Sequence, residues 1–219
     1  LLLQQRVEEI REKKYRNDLD HMKEIISDNI IYIKQGLLKE LLFSNYNPDE
    51  KLIQRMKEME IKYNPGACSI CIVVVREFNN IKKQFNLYEN EMVKLFLKQI
   101  YEILQRKETG DAVYLGDGKF ALLFFWGEDK WGKSLAETRL ILTDIHNDLS
   151  LFIMDYYSSE IFAGCGYSPE LNGPVSNVYR EAEIALLNYY MGKKGLIISR
   201  GSLNRLGDNN PIELDKIYD

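Results

Sequence analysis

The chain reads as an α+β domain of the ferredoxin-like kind, an antiparallel-containing sheet with helices on its faces behind a long leading helix, and three observations predict it. Apolar runs with strand character, Cys68 to about Glu77, Val113 to Phe125 and Ile161 to Gly166, alternate with segments whose apolar residues recur every three to four positions. Asp117-Gly118 interrupts the middle run, and an Asp-Gly pair accepts the positive φ that a two-residue hairpin needs. The first 43 residues contain no proline and one glycine, Gly36, which favours a long helix.

That helix carries a seam. Tyr15, Leu19, Met22, Ile26, Asn29 and Ile33 step by 4, 3, 4, 3 and 4 residues, the spacing of a coiled coil. Leu3 and Val7 reach Tyr15 only through Arg11, a stutter that locally unwinds a supercoil. Asn29 in the seam is of the kind that fixes register and dimeric state at some loss of stability. Residues 30–43 are too rich in Ile, Leu and Phe for a narrow seam, so they are expected to pack on the chain's own domain. At about 1.5 Å per residue the helix reaches roughly 65 Å.

Asn47-Pro48-Asp49-Glu50 looks like a helix start, with a capping residue, Pro at the first helical position and acids in the first turn, followed by Leu52, Ile53, Met56 and Met59. Pro65-Gly66 precedes the first strand. A helix from Asn90 to Gln105 turns Val93, Phe96, Leu97, Ile100 and Leu104 inward, and the hairpin follows. Ser134 to about Leu149 is amphipathic through Leu135, Thr138, Leu142 and Ile145; Val175 to Met191 through Val178, Ala182, Ala185 and Leu186. Leu196 to Ser199 is a last strand, and the order is β-α-β-β-α-β-α-β.

Composition bounds the function. Of 219 residues, 45% are hydrophobic, and 29 basic against 33 acidic residues give a net charge of −4, so no basic surplus is available to hold a phosphate backbone. No apolar run approaches the roughly 18 to 20 residues that span a bilayer, and the start lacks a signal peptide's pattern, which predicts a cytoplasmic setting and no membrane partner. Leu1 at the start and a polar end at Asp219 suggest a fragment of a longer chain. The expected division is a dimerising linker helix over 1–45, a short helix and linker over 46–66, the domain over 67–200 and the start of a C-terminal linker over 201–219.

Cys68 and Cys71 have metal-site spacing, but three residues along a strand they point to opposite faces and read as buried structural thiols. His146 reads as a helix-end residue interacting with the dipole. Trp126 and Trp131 read as a loop after the hairpin, either an exposed contact patch or partly buried over the sheet.

The run Val113-Tyr114-Leu115-Gly116-Asp117-Gly118-Lys119-Phe120 resembles the GG(D/E)EF hairpin of diguanylate cyclases, Ile161-Phe162-Ala163-Gly164-Cys165-Gly166 resembles their Ser-Ile-Gly strand, and Tyr179-Arg180-Glu181-Ala182 with Ala185-Leu186 resembles their terminal helix. The narrower resemblance is to the degenerate GGDEF-like, nucleotidyl-cyclase-fold middle domain of YesN-type, AraC-family two-component response regulators, in which a charged helix enters a segment like Gln35-Gly36-Leu37-Leu38-Lys39-Glu40-Leu41-Leu42.

Cyclase chemistry needs two divalent cations held by facing carboxylates. The resemblance puts Glu77, Asn79, Gly116, Asp117, Gly118 and Lys119 at the family's positions. Glu77 keeps a ligand, Asn79 replaces an acid, and Gly118 and Lys119 stand where the hairpin acids belong. An ammonium about 4 Å from a dication costs roughly 8 kcal/mol at an effective dielectric near 20, an upper bound because Lys can swing away. A shifted register would bring Asp117 to the acidic position. The Arg-to-Asp product-inhibition pair before the hairpin is missing, since Thr109 stands three residues after Arg106. For Lys82 and Lys83 a solvated basic face is the simpler reading than phosphate contacts.

The resemblance implies a non-enzymatic regulatory and dimerisation module with no metal or cofactor, a homodimer through its leading helix. It would relay signal from a receiver domain to a DNA-binding domain of the same full-length chain, and DNA would be met only through the latter. A non-catalytic nucleotide-binding sensor is the alternative, followed by an active cyclase.

Overall fold

In the computed structural model, residues 14, 15, 22, 29–127, 134–154, 161–190 and 197–200 are described. Residues 29–43 form α1, whose Leu37, Leu38, Leu41 and Leu42 are buried, each contributing about 2 kcal/mol by leaving water. Helix α2 is Glu50–Glu58, and its cap is Asp49, whose carboxylate accepts from Leu52 N at 2.8 Å. Pro48 therefore precedes the cap instead of opening the helix, and Asn47 lies outside it.

Strand β1, Ala67–Val75, is buried at all nine positions because both of its faces are covered. Then come α3 (Phe78–Gln84), α4 (Glu89–Arg106), β2 (Asp111–Gly116), β3 (Lys119–Trp126), α5 (Ser134–Met154), β4 (Ile161–Ser168), α6 (Val175–Tyr190) and β5 (Ile197–Arg200). The sheet order is β2-β3-β1-β4-β5, with β5 parallel to β4 and the other pairs antiparallel. This is an α+β, ferredoxin-like plan extended by α6 and β5, as the alternation of apolar runs predicts.

Alternation along β1 sorts the core. Cys71, Val73 and Val75 join Phe78, Phe96, Ile100, Phe120 and Ile145 on the face covered by α3, α4 and α5. Cys68 and Ile70 join Leu37, Leu41, Leu52, Met56 and Val178 on the other. Cys68 and Cys71 thus point to opposite faces, as expected, and burial raises the pKa of both thiols.

Several expectations need correction. The first strand stops at Val75, two residues before Glu77, because the chain turns there into α3, a helix the sequence reading missed. The observed order is therefore β-α-α-β-β-α-β-α-β. Trp126 is the last residue of β3 and not a loop residue; it is 1% exposed, stacked on Phe124 and donates from its indole nitrogen to Ser69 Oγ at 3.2 Å, so of the two readings burial against the sheet holds and the contact patch does not. His146 lies exposed in the interior of α5, which runs on to Met154, so the helix-end account fails. Trp131 lies outside the described residues.

The inward faces of α4 and α6 match expectation, with Phe96, Leu97, Ile100, Leu104, Val178, Ala182, Ala185 and Leu186 all buried. Val93 is half-buried. Of the seam, Leu19 and Ile26 lie outside the described residues, while Tyr15, Met22, Asn29 and Ile33 are helical and exposed, Tyr15 at 70% and Met22 at 62%.

Candidate functional site

The residues singled out from the sequence, Glu77, Asn79 and Gly116 to Lys119, lie at one corner, where the end of β1, the start of α3 and the β2–β3 turn meet. Asp117 and Gly118 both take positive φ, 49° and 72°, as a tight turn matched to the twist of its strands requires. Val75 N donates to Gly118 O at 2.9 Å and pins the turn beside the strand end. Glu77 takes the left-handed conformation, φ 56°, and its carbonyl accepts from Asn80 N at 2.8 Å and Ile81 N at 3.1 Å, which starts α3. Glu77, Asn79, Asp117 and Lys119 are exposed, Gly116 is half-buried and Gly118 is buried.

Phe78 fills the middle of this corner. Its ring lies 5.5 Å from Phe96, 6.0 Å from Tyr114 and 6.2 Å from Phe120. A Cβ placed on Gly118 would stand 2.5 Å from Phe78 Cβ and 2.8 Å from Val75 O. The turn therefore has no room for a carboxylate at 118, and the next residue offers an ammonium. Among the described residues no group of three or more His, Cys, Asp or Glu converges to hold a metal. The donor set at this corner does not fit the pair of divalent cations that cyclase chemistry uses.

Lys82 lies on α3, with its ammonium 3.5 Å from Glu89. Arg106 is paired with Asp148 at 2.9 Å.

A second set of groups, which the sequence reading missed, adjoins the corner. Strand β2 is an edge strand, and α1 lies against it. Gln35 Nε2 donates to Ala112 O at 2.8 Å, while Gln35 Oε1 accepts from Tyr114 N at 2.7 Å. Tyr101 also donates to Ala112 O, at 2.9 Å. The Tyr114 hydroxyl donates to Glu89 at 2.8 Å; burial, and then that bond, push its pKa up to about 12. Lys34 stands 3.9 Å from Asp111. Desolvation raises the Asp111 pKa to about 6 against the lowering influence of Lys34 and Lys62. A cleft of about 350 Å³ opens beside these groups, between α1, α4 and Tyr114, with Ile31, Val93 and Leu97 among its apolar walls and Lys39 and Asn90 on its polar side. The signal in the sequence was Gln35 itself, a polar residue two positions before the buried leucines of α1.

No family model matches this chain, and no curated protein matches it. The solved structures similar to it are consistently GGDEF domains. The active GGEEF domain of a diguanylate cyclase from Vibrio cholerae is 14% identical, with a TM-score of 0.47 over 74% of this chain and 94% of that one. The diguanylate cyclase SiaD of Pseudomonas aeruginosa, solved with its activator SiaC, is 15% identical, with a TM-score of 0.45 over 86% and 75%. The GGDEF domain of DgcB from Caulobacter crescentus, solved with c-di-GMP, is 12% identical, with a TM-score of 0.43 over 62% and 78%. The α+β class stands on the strand order itself. No helix among the described residues is long and apolar enough to cross a membrane.

Proposed function

We propose that this chain is a non-catalytic regulatory and dimerisation module of a two-component transcriptional response regulator, relaying signal along its leading helix from a receiver domain to an AraC-type DNA-binding domain. The observation that carries the non-catalytic part is the packing of Phe78 and Val75 O against Gly118. Where a metal-holding acid would project there is a filled corner, and Lys119 beside it opposes a dication. The regulator context rests on the resemblance of the motifs. The dimer rests on the seam, of which Tyr15, Met22 and Ile33 leave their apolar surface in water. Analytical ultracentrifugation with and without residues 1–30 tests the dimer: the whole chain is expected to sediment as a dimer and the shortened chain as a monomer. A monomer in both at high concentration defeats it.

A second reading, a sensor that holds a nucleotide without turning it over, is favoured by the cleft beside Tyr114. Calorimetry with GTP and magnesium separates the two. Heat that disappears in Lys39→Ala, on the polar side of the cleft, supports the sensor, and no heat removes it. Cyclic dinucleotide formed from GTP would instead mark an active cyclase and overturn both.

A further inference from the structure

Main-chain groups at residues 112 and 114 of β2 face away from β3, because alternate residues of an edge strand turn their N–H and C=O outward. The Gln35 amide meets two of these groups at once, donating to Ala112 O at 2.8 Å and accepting from Tyr114 N at 2.7 Å. One side chain of α1 thus stands in for a residue of a neighbouring strand. Tyr114 then turns its ring to the opposite task. It lies 5.1 Å from Phe120 and 6.0 Å from Phe78, its hydroxyl donates to Glu89 at 2.8 Å, and Gly118 N points at the same hydroxyl at 3.4 Å. Glu89 in turn faces Lys82 of α3 at 3.5 Å.

The geometry points to Tyr114 as a positioning residue that couples α1, through the Gln35 amide, to the hairpin turn and to the start of α4. This rests on the reading that α1 carries the signal, and it names the route by which that signal enters the domain. A shift of α1 along β2 breaks both amide bonds together, since one rigid planar group makes them. Tyr114 is then free to move at its backbone, and its ring and hydroxyl carry that movement to Phe78, Glu89 and the turn. The cleft between α1 and α4 borders the same three residues, Gln35, Tyr114 and Glu89, so a displaced helix has space to move into.

Residue-resolved amide hydrogen exchange on the full chain tests the coupling. Gln35→Met keeps the side chain's size and removes both hydrogen bonds. It is expected to raise exchange at the residue 114 amide and, by about tenfold, at Gly118 as well. Tyr114→Phe is expected to raise exchange at Gly118 while the residue 114 amide stays protected, and combining the two should add little at Gly118. Gln35→Glu, which keeps the acceptor and loses the donor, should fall between Gln35→Met and the parent. Protection of the central β1 amides certifies that each variant is folded. If Gln35→Met raises exchange at residue 114 alone and leaves Gly118 unchanged, the coupling is wrong. A monomer in the centrifuge with the Gly118 response intact would remove the dimer and keep the coupling; a dimer with no Gly118 response would do the reverse.

Discussion

Gly118 and Phe78 are packed so closely that a β-carbon on the glycine would stand 2.5 Å from the Cβ of the phenylalanine. The hairpin turn accepts no side chain there, and its φ of 72° disfavours one independently. Gly118→Asp, which puts a carboxylate into the turn, should therefore lower stability by about 2 kcal/mol or more and confer no magnesium binding. Urea unfolding and magnesium calorimetry check the two halves. Unchanged stability with a magnesium heat would mean that the turn opens to admit the acid and that the packing of Phe78 does not close this corner to a metal.

Asp111 sets a pH dependence whose sign runs against that of an ordinary paired acid. Its folded pKa is about 6 against an ordinary 3.8, so between those values the folded chain binds more proton than the unfolded one. Stability from this group is fully present below the lower value and is lost as pH rises through the upper one. The swing is at most about 3 kcal/mol. Urea midpoints of the parent and Asp111→Asn, compared from pH 4 to 7, should diverge across that window. Parallel profiles would place the carboxyl in water.

Ser69 sits at the centre of a buried polar group, accepting from Trp126 Nε1 at 3.2 Å and from Thr138 Oγ1 at 3.0 Å. Ser69→Ala removes that acceptor from a site without access to solvent and should cost about 1–3 kcal/mol, read from the denaturation midpoint. A change within a few tenths of a kcal/mol would mean that the indole finds another partner.

Two glycine-to-alanine changes should act in opposite directions. A Cβ at Gly164 would meet Leu186 N at 2.6 Å and Ala182 O at 2.7 Å, so Gly164→Ala must push α6 off β4 and should destabilise by about 1–3 kcal/mol. Gly36 has open space around its missing Cβ within α1, and Gly36→Ala should stabilise by up to about 1 kcal/mol. Thermal melts of both variants give the comparison, and a loss of stability at Gly36 would mean that the helix bends there for a reason of its own.

Most of the elements were legible in the sequence because each has a period of its own. Phe96, Ile100 and Leu104 mark α4, and Val178, Ala182, Ala185 and Leu186 mark α6, without reference to anything they touch. Helix α3 was not legible. Its seven residues are too few to establish a period, and Phe78 and Ile81 continue the apolar run of β1. Trp126 was misplaced for a related reason: Gly127 after it signals a break, but only the partners Ser69 and Phe124 show that the ring turns inward.

The α+β class, the hairpin at Asp117-Gly118 and the opposed faces of Cys68 and Cys71 could be read from the chain alone, because each depends on local chemistry and on the two backbone periodicities, and the same reading shows a glycine and a lysine, not carboxylates, at residues 118 and 119. That Phe78 closes the corner over Gly118, that Glu77 leaves the strand, and that Gln35 joins the leading helix to the edge of the sheet emerge only in the folded chain. Those facts depend on residues as many as 79 positions apart meeting in space, and no local preference records which distant groups will meet.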